Sequence, residues 1–182
     1  MKAQATTLVP ILETPRLTLR GHRREDFAAV AAMWGDLDVA RHISGKPSTP
    51  EESWARMLRY AGLWALLGFG YWAVEEKASG RFAGEVGIAN FMREMEPPLG
   101  DSPEAGWVFS PWAQGKGYAT EAMQAALAWA DVRLGATPTV CILAPENPAS
   151  MRVAEKCGFR KHAEGTYKTW PTLIYRREPR VR

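Results

Sequence analysis

Between Ser110 and Ala130 the chain reads SPWAQGKGYATEAMQAALAWA, and six residues at its start could do chemistry: Gln114, Gly115, Lys116, Gly117, Tyr118 and Ala119. A glycine inside a helix costs about 1 kcal/mol relative to alanine, so two of them at the head of a helical pattern imply that something approaches the backbone there. The first N–H groups of a helix have no partner within it and sit at the positive end of its dipole. Small side chains leave those groups open and Lys116 adds a full charge, which together make a cradle for an anion such as a phosphate. Three phosphate-binding patterns compete. A P-loop fails because Gly117, not Ser or Thr, follows the lysine. A dinucleotide fingerprint is broken by Thr120 in its last place and by a mid-chain position after a hairpin. The pattern Q/R-x-x-G-x-G/A is satisfied by Gln114, Gly117 and Ala119. A tight strand-to-helix turn that binds nothing is the plain alternative.

The elements that must position this turn are readable along the chain. TPRLTLRGH alternates Leu17 and Leu19 with polar neighbours, a first strand. REDFAAVAAMWG spaces Phe27, Val30, Ala31 and Trp34 as a helix that Gly35 ends. Thr49, Pro50 and Glu52 form a capping-box start for a second helix, with Trp54, Met57, Leu58, Ala61 and Ala65 as its expected apolar face. YWAVEEK and RFAGEVGIANF flank a turn at Ser79 and Gly80, a hairpin. MREMEPPLGDSP reads as a loop and EAGWVFS as a short strand. A long helix follows from about Gly115 to Leu134, with Ala119, Ala122, Met123, Ala126, Leu127 and Ala130 on its apolar face. TVCILA is a buried strand, ENPASMRVAEKCGF a short helix capped by Asn147, and FRKHAEG and TWPTLIYRRE two closing strands. Pro171 suits an edge or a strand start. The order β-α-α-β-β-β-α-β-α-β-β defines an α+β domain with a mixed sheet, not a regular βαβ array.

The 182 residues fit a single domain, 1–182, with 1–12 and 178–182 expected to be flexible. A net charge of +3 can favour an anionic ligand without demanding nucleic acid, and no stripe of Arg and Lys interleaved with aromatics is present. The basic run YRREPRVR reads as a solvated terminus. Cys141 and Cys157 lie outside any CxxC, and His22, His42 and His162 lack ligand spacing, so no metal is expected. Free thiols suit a reducing cytoplasm, and no signal peptide is read at the N-terminus. Gly62 to Val74 is too short an apolar stretch to span a bilayer. Oligomeric state has no readable signature; a homodimer stays open.

In EAGWVFSPWAQGKGYATEAMQAAL and ENPASMRVAEKCGF, and more weakly in LETPRLTLR and PTLIYRRE, the sequence resembles the GNAT superfamily of acetyl-CoA-dependent N-acetyltransferases, nearest the RimJ/RimL-like branch that acetylates ribosomal-protein N-termini. The resemblance implies a central mixed sheet of six or seven strands, splayed in the middle and flanked by about four helices. It implies a coenzyme A diphosphate on the amides of Gln114 to Ala119, and a pantetheine arm along Trp107, Val108 and Phe109. The amide of Val108 is the first candidate to polarise the thioester carbonyl. Asn147 and Ser150 match the family's N-x-x-S: Asn147 for the coenzyme arm as well as the helix cap, Ser150 to protonate the departing thiolate. Many relatives place a tyrosine one turn later, where this chain has Ala154. The implied reaction is direct attack of a primary amine, on a protein N-terminus or a small molecule, in a ternary complex. Glu104 and then Glu85 are the candidates to receive the amine's proton, and Trp34, Trp54, Trp64 and Trp72 precede or line the acceptor side. Glu94, Glu96 and Asp101 would form an acidic rim that attracts a cationic amine. A non-catalytic acyl-CoA-binding or sensing domain on the same scaffold is the alternative.

Overall fold

Leu17 and Leu19 flank Thr18 and are wholly buried, as a strand with one face on a core requires. They belong to β2 (Leu17–Arg20), which β1 (Leu12–Glu13) precedes. The computed structural model describes residues 9–135 and 137–180. Next come α1 (Phe27–Trp34), α2 (Leu37–Ala40), α3 (Pro50–Leu67), β3 (Tyr71–Glu76), β4 (Phe82–Ala89), β5 (Met95–Glu96) and β6 (Glu104–Phe109). The chain closes with α4 (Tyr118–Arg133), β7 (Thr139–Leu143), α5 (Pro148–Lys156), β8 (Arg160–Tyr167) and β9 (Trp170–Arg177). The strands form one sheet in the order β1-β2-β3-β4-β6-β7-β9-β8-β5. Among the described residues only β6 and β7 run parallel; the remaining neighbours are antiparallel.

The sheet thus has nine strands among the described residues, where six or seven were expected, and five α-helices in place of four. The additions are the two-residue β1 and β5 and the four-residue α2. Elements this short carry no periodicity; β5 exists because Met95 and Glu96 meet Tyr167 and Thr166 of β8. Pro171 stands near the start of β9, which lies between β7 and β8 and not at an edge.

One face of the sheet packs on α4 and α5. Ala122, Met123, Ala126, Leu127 and Ala130 of α4 are buried there with Val86, Ile88 and Ala105, while Ala119 is partly buried. Trp64, Trp72 and Trp129 pack edge to face, centroids 4.7–5.6 Å apart, a favoured aromatic geometry. On the other face Val30, Met33 and Trp34 of α1 meet Met57 of α3 and Val39. The buried positions of α3 are Ser53, Met57, Tyr60 and Trp64. The expected face was wrong except at Met57: Leu58 is 55% exposed, Trp54 37%, and Ala61 and Ala65 are exposed. Reading Ser and Tyr as outward residues misplaces that face, because Ser53 hides its hydroxyl on the Thr49 carbonyl.

The basic tail is likewise no purely solvated run. Arg177 is 5% exposed and grips Asp131 of α4 through two hydrogen bonds of 2.8 and 2.6 Å. Arg182 and the other residues of 181–182, like 1–8, lie outside the described residues. Val9 and Leu12 pack against the main core, and the Pro10 carbonyl accepts a 2.8 Å bond from the Trp72 indole.

A buried ion pair launches α1. Arg20 donates to both oxygens of Asp26 at 2.8 Å, and Asp26 also accepts the Arg23 amide at 2.7 Å. Burial pushes the Asp26 carboxyl up, but the bonds from Arg20 and the Arg23 amide outweigh it and hold it below the usual carboxylate range. A lowered native pKa gives stability that is present above the unfolded value, about 3.9, and fades as pH falls through the native one. Asp26→Asn is therefore expected to destabilise by on the order of 3 kcal/mol at pH 7, because it strands the buried Arg20 charge beside Glu75 alone. The deficit should narrow as the pH of a denaturant titration is taken below about 4.

Candidate active site

The two glycines that open the motif stand before the helix, not in it. Gly115 has φ +74° and Gly117 φ +80°, and α4 begins at Tyr118. A left-handed backbone is what selects glycine at these positions. Gly117 is the N-cap and supplies no side-chain acceptor, so the amides of the first turn stay uncapped; Glu121 is the first whose N–H reaches back, to the Gly117 carbonyl at 3.1 Å. A Cβ on Gly115 would meet nothing within 4 Å. The turn is thus uncrowded at Gly115.

Arg16 fixes the turn, a role no local motif reveals. Its Nε bonds Glu121 at 2.7 Å and its Nη1 bonds the Lys116 carbonyl at 2.9 Å. Lys116 lies 3.6 Å from Glu76 and over the Trp112 ring at 4.7 Å. Glu76 in turn accepts the Tyr118 hydroxyl at 2.6 Å. Gln114, the first residue of the pattern, turns its side chain back and donates to the Phe109 carbonyl at 3.0 Å. Two cations, Arg16 held by Glu121 and Lys116 beside Glu76, therefore flank a run of amides without partners among the described residues, and the amides are the groups open to a diphosphate.

The sheet splits beside this turn. β6 and β7 share the single register pair Glu104 and Val140, and beyond it they part. The amide of Val140 reaches the Pro103 carbonyl at 3.0 Å, and that of Ser110 reaches the Ala83 carbonyl at 2.9 Å. Backbone groups alternate along a strand, so the odd-numbered residues of β6 turn toward β7 and the even-numbered ones toward β4. Trp107 and Phe109 accordingly direct their amides into the gap. The amide of Val108 belongs to the β4 side, opposite Glu85, which corrects its assignment to the thioester carbonyl. The side chain of Trp107 packs with the α4 core, and that of Val108 with α1.

Across the gap stands α5. Asn147 caps it, accepting the Ser150 amide at 3.1 Å through Oδ1, which leaves the Asn147 NH2 group free to donate. Ser150 is half-buried, and its hydroxyl has no hydrogen-bond partner among the described residues. Ala154 is wholly buried. Cys157 is also buried, and burial pushes its thiol up to about 11, so it stays protonated.

Neither candidate carboxylate is free. Glu104 is 5% exposed and receives Nε and Nη2 of Arg93, the latter at 2.7 Å. Glu85 is wholly buried on the α1 face. Its two oxygens meet His22 Nε2 at 3.0 Å and the Trp34 indole N–H at 2.9 Å. Solvent reaches Glu104 more readily than Glu85, because Glu104 also lines a cavity of about 250 Å³ formed with Asn90, Arg93, Leu99 and Asp101. Tyr71, missed in the sequence, stacks on Tyr60 with centroids 4.5 Å apart and brings its hydroxyl against Gly106 of β6, where a Cβ would collide with it. Burial first, and then the Glu104 charge, push that phenol up, so it is a donor at neutral pH. Among the described residues no group of three or more His, Cys, Asp or Glu is placed to hold a metal, and no helix is long and apolar enough to cross a membrane.

A sheet split between a parallel pair, with an amide-rich turn at the head of the following helix, is the architecture of a coenzyme-A-dependent acyltransferase. Residues 16–160 match the family model of the acetyltransferase (GNAT) domain, and the chain belongs to that family. It is 30% identical over 173 residues to the uncharacterized protein YkkB of Bacillus subtilis, covering 92% of this chain and 95% of the other. The acetyltransferase from Agrobacterium tumefaciens superposes with a TM-score of 0.79 at 28% identity, over 92% of this chain and 94% of its own. The ribosomal-protein-S5-alanine acetyltransferase of Vibrio fischeri shares the fold at 19% identity, with a TM-score of 0.72 over 94% and 98% of the two chains. The protein is an acyltransferase of a family that uses acetyl-CoA.

Proposed function

We propose that this chain transfers the acetyl group of acetyl-CoA to a primary amine by direct attack within a ternary complex. The observation that carries the reading is the pairing of the open amides at 115–119 with the gap at Trp107 and Phe109. Gln114, Gly115, Lys116, Gly117, Tyr118 and Ala119 would hold the diphosphate, with Arg16 bracing the turn. The amides of Trp107 and Phe109 and the NH2 of Asn147 would hold the pantetheine arm, Val108 lending its side chain to the wall. Acetyl-CoA supplies an activated acyl thioester when bound.

This chain's own groups then handle protons and orientation. Ser150 offers its hydroxyl to the thiolate that leaves. Glu104, paired with Arg93, would orient the amine and, through a bridging water, take its proton, a role its place on the cavity wall supports. Glu85 is enclosed by His22 and Trp34 and acts, in this reading, by positioning β4. The acceptor is either a protein N-terminus, as in the RimJ/RimL-like branch, or a small amine, and the setting proposed is the cytoplasm. The reading is tested with a panel of peptides and small amines, thiol release being measured over the hydrolysis background. Turnover of at least one amine is expected; none, with no thermal shift by acetyl-CoA, would refute it. Ser150→Ala is expected to lower kcat about ten-fold or more while the KM for acetyl-CoA stays within about two-fold. Unchanged kcat would remove Ser150 from the mechanism.

A further inference from the structure

Next to the cavity beside Glu104, and sharing part of its lining, lies a second one of about 280 Å³, walled by Arg59, Leu63, Asn90, Phe91, Arg93 and Tyr167. No Asp or Glu lines this second wall. Arg93, which lines both cavities, spends Nε and Nη2 on Glu104, and its Nη1 has no hydrogen-bond partner among the described residues. Arg59 has no ion pair or hydrogen bond among the described residues; it lies over Phe91 at 5.2 Å and Tyr60 at 5.9 Å, which set its direction. Asn90 accepts the Met92 amide through Oδ1 at 2.9 Å, so its NH2 is left as a donor. The charged groups on this wall are therefore both guanidinium ions, that of Arg59 without a counter-ion among the described residues; the Asn90 NH2 adds a donor, and the Tyr167 hydroxyl can donate or accept. Glu94 and Glu96, expected to draw a cation, are exposed and do not line the wall. Asp101 lines only the neighbouring cavity, at its exposed rim.

We propose that this cavity binds an oxyanion carried by the acceptor, in the first place an α-carboxylate, with Arg59 as the specificity-determining residue. The inference rests on the acetyl-transfer reading and narrows it to amino-acid-like acceptors. A guanidinium takes a carboxylate through two parallel hydrogen bonds, and Arg59 has its fork available. A carboxylate there would leave the α-amine of the same molecule within reach of the cavity that Glu104 lines, since Asn90, Phe91 and Arg93 border both. A polyamine would meet two guanidinium groups and no carboxylate on this wall.

The test uses the full chain with acetyl-CoA and two matched sets: L-α-amino acids and their carboxamides. The carboxamides lose an amine proton more readily, so any preference for carboxylates runs against intrinsic reactivity. At least a ten-fold advantage in kcat/KM is expected for the best carboxylate over its carboxamide. Arg59→Gln should erase it by raising the acceptor KM about ten-fold or more, with the acetyl-CoA KM unchanged, and Arg59→Lys should restore part of it. A readout independent of turnover is thermal stabilisation by N-acetyl amino acids in the presence of coenzyme A, expected in the wild type and lost in Arg59→Gln. Carboxamides used equally well, a preference that survives Arg59→Gln, or no stabilisation by any N-acetyl amino acid would overturn the inference. If other amines are still acetylated in those cases, this inference alone falls. If no amine is acetylated and acetyl-CoA does not bind, the function falls with it.

Discussion

Gly117→Val is expected to raise the dissociation constant of coenzyme A at least about 100-fold while the protein stays folded. Three effects act together at this position. Valine at φ +80° is a conformational outlier, so the backbone must leave the geometry that points its amides outward. Its side chain grows next to Arg16, whose nitrogen lies 3.5 Å from the Cβ position, and threatens the bond that fixes the Lys116 carbonyl. Charge-assisted hydrogen bonds to a diphosphate contribute about 1.5–3 kcal/mol each, so losing one or two amides suffices for the factor stated. The fold should survive, because the substitution lies ahead of α4 and outside the buried face of Ala122, Met123 and Ala126. Titration calorimetry with coenzyme A and a thermal melt of the same sample separate the two effects. Affinity within about three-fold of the wild type would mean that the turn does not hold the diphosphate.

Arg93→Met should be the most damaging change near the acceptor side. It leaves the Glu104 carboxylate 5% exposed without its partner, at a cost on the order of 3 kcal/mol. An unpaired buried carboxyl has a raised pKa, and a native pKa raised above the unfolded value, about 4.3, means stability that is lost as pH rises through it. The deficit relative to the wild type should therefore be larger at pH 8 than at pH 5. The double variant Arg93→Met, Glu104→Leu removes both charges and should recover most of the stability, since a buried pair replaced whole by apolar groups is often neutral. It should also lose acetyl transfer, in line with the proposed part of Glu104. Full activity in the double variant would assign the proton to another group. A double variant as unstable as the single one would mean that the loss came from packing.

The sequence-legible parts share a physical property: each is local. The turn at Gln114 to Ala119 is written in consecutive residues, and the requirement for a positive φ at Gly115 and Gly117 is met where the glycines stand. The caps at Thr49 and Asn147 are found as read, each accepting the amide three residues on. The buried face of α4 follows its periodicity. What escaped depends on partners far away in the chain. Arg93 meets Glu104 across a loop, Arg16 meets Glu121 across more than half the domain, and Arg177 of β9 meets Asp131 of α4 with three elements between them. Tyr71 reaches Gly106 only because β4 lies between their strands. The amide of Val108 was misdirected for a subtler reason: which way a strand residue points is set by register with its neighbours, and a single sequence carries no register.

The most direct measurement is a crystal structure of the chain soaked with coenzyme A. Diphosphate oxygens are expected within about 3 Å of amides from Gly115 to Ala119, with the arm lying between β6 and β7 against Trp107 and Phe109. Coenzyme A bound elsewhere, with the turn empty and the gap unentered, would contradict this binding mode.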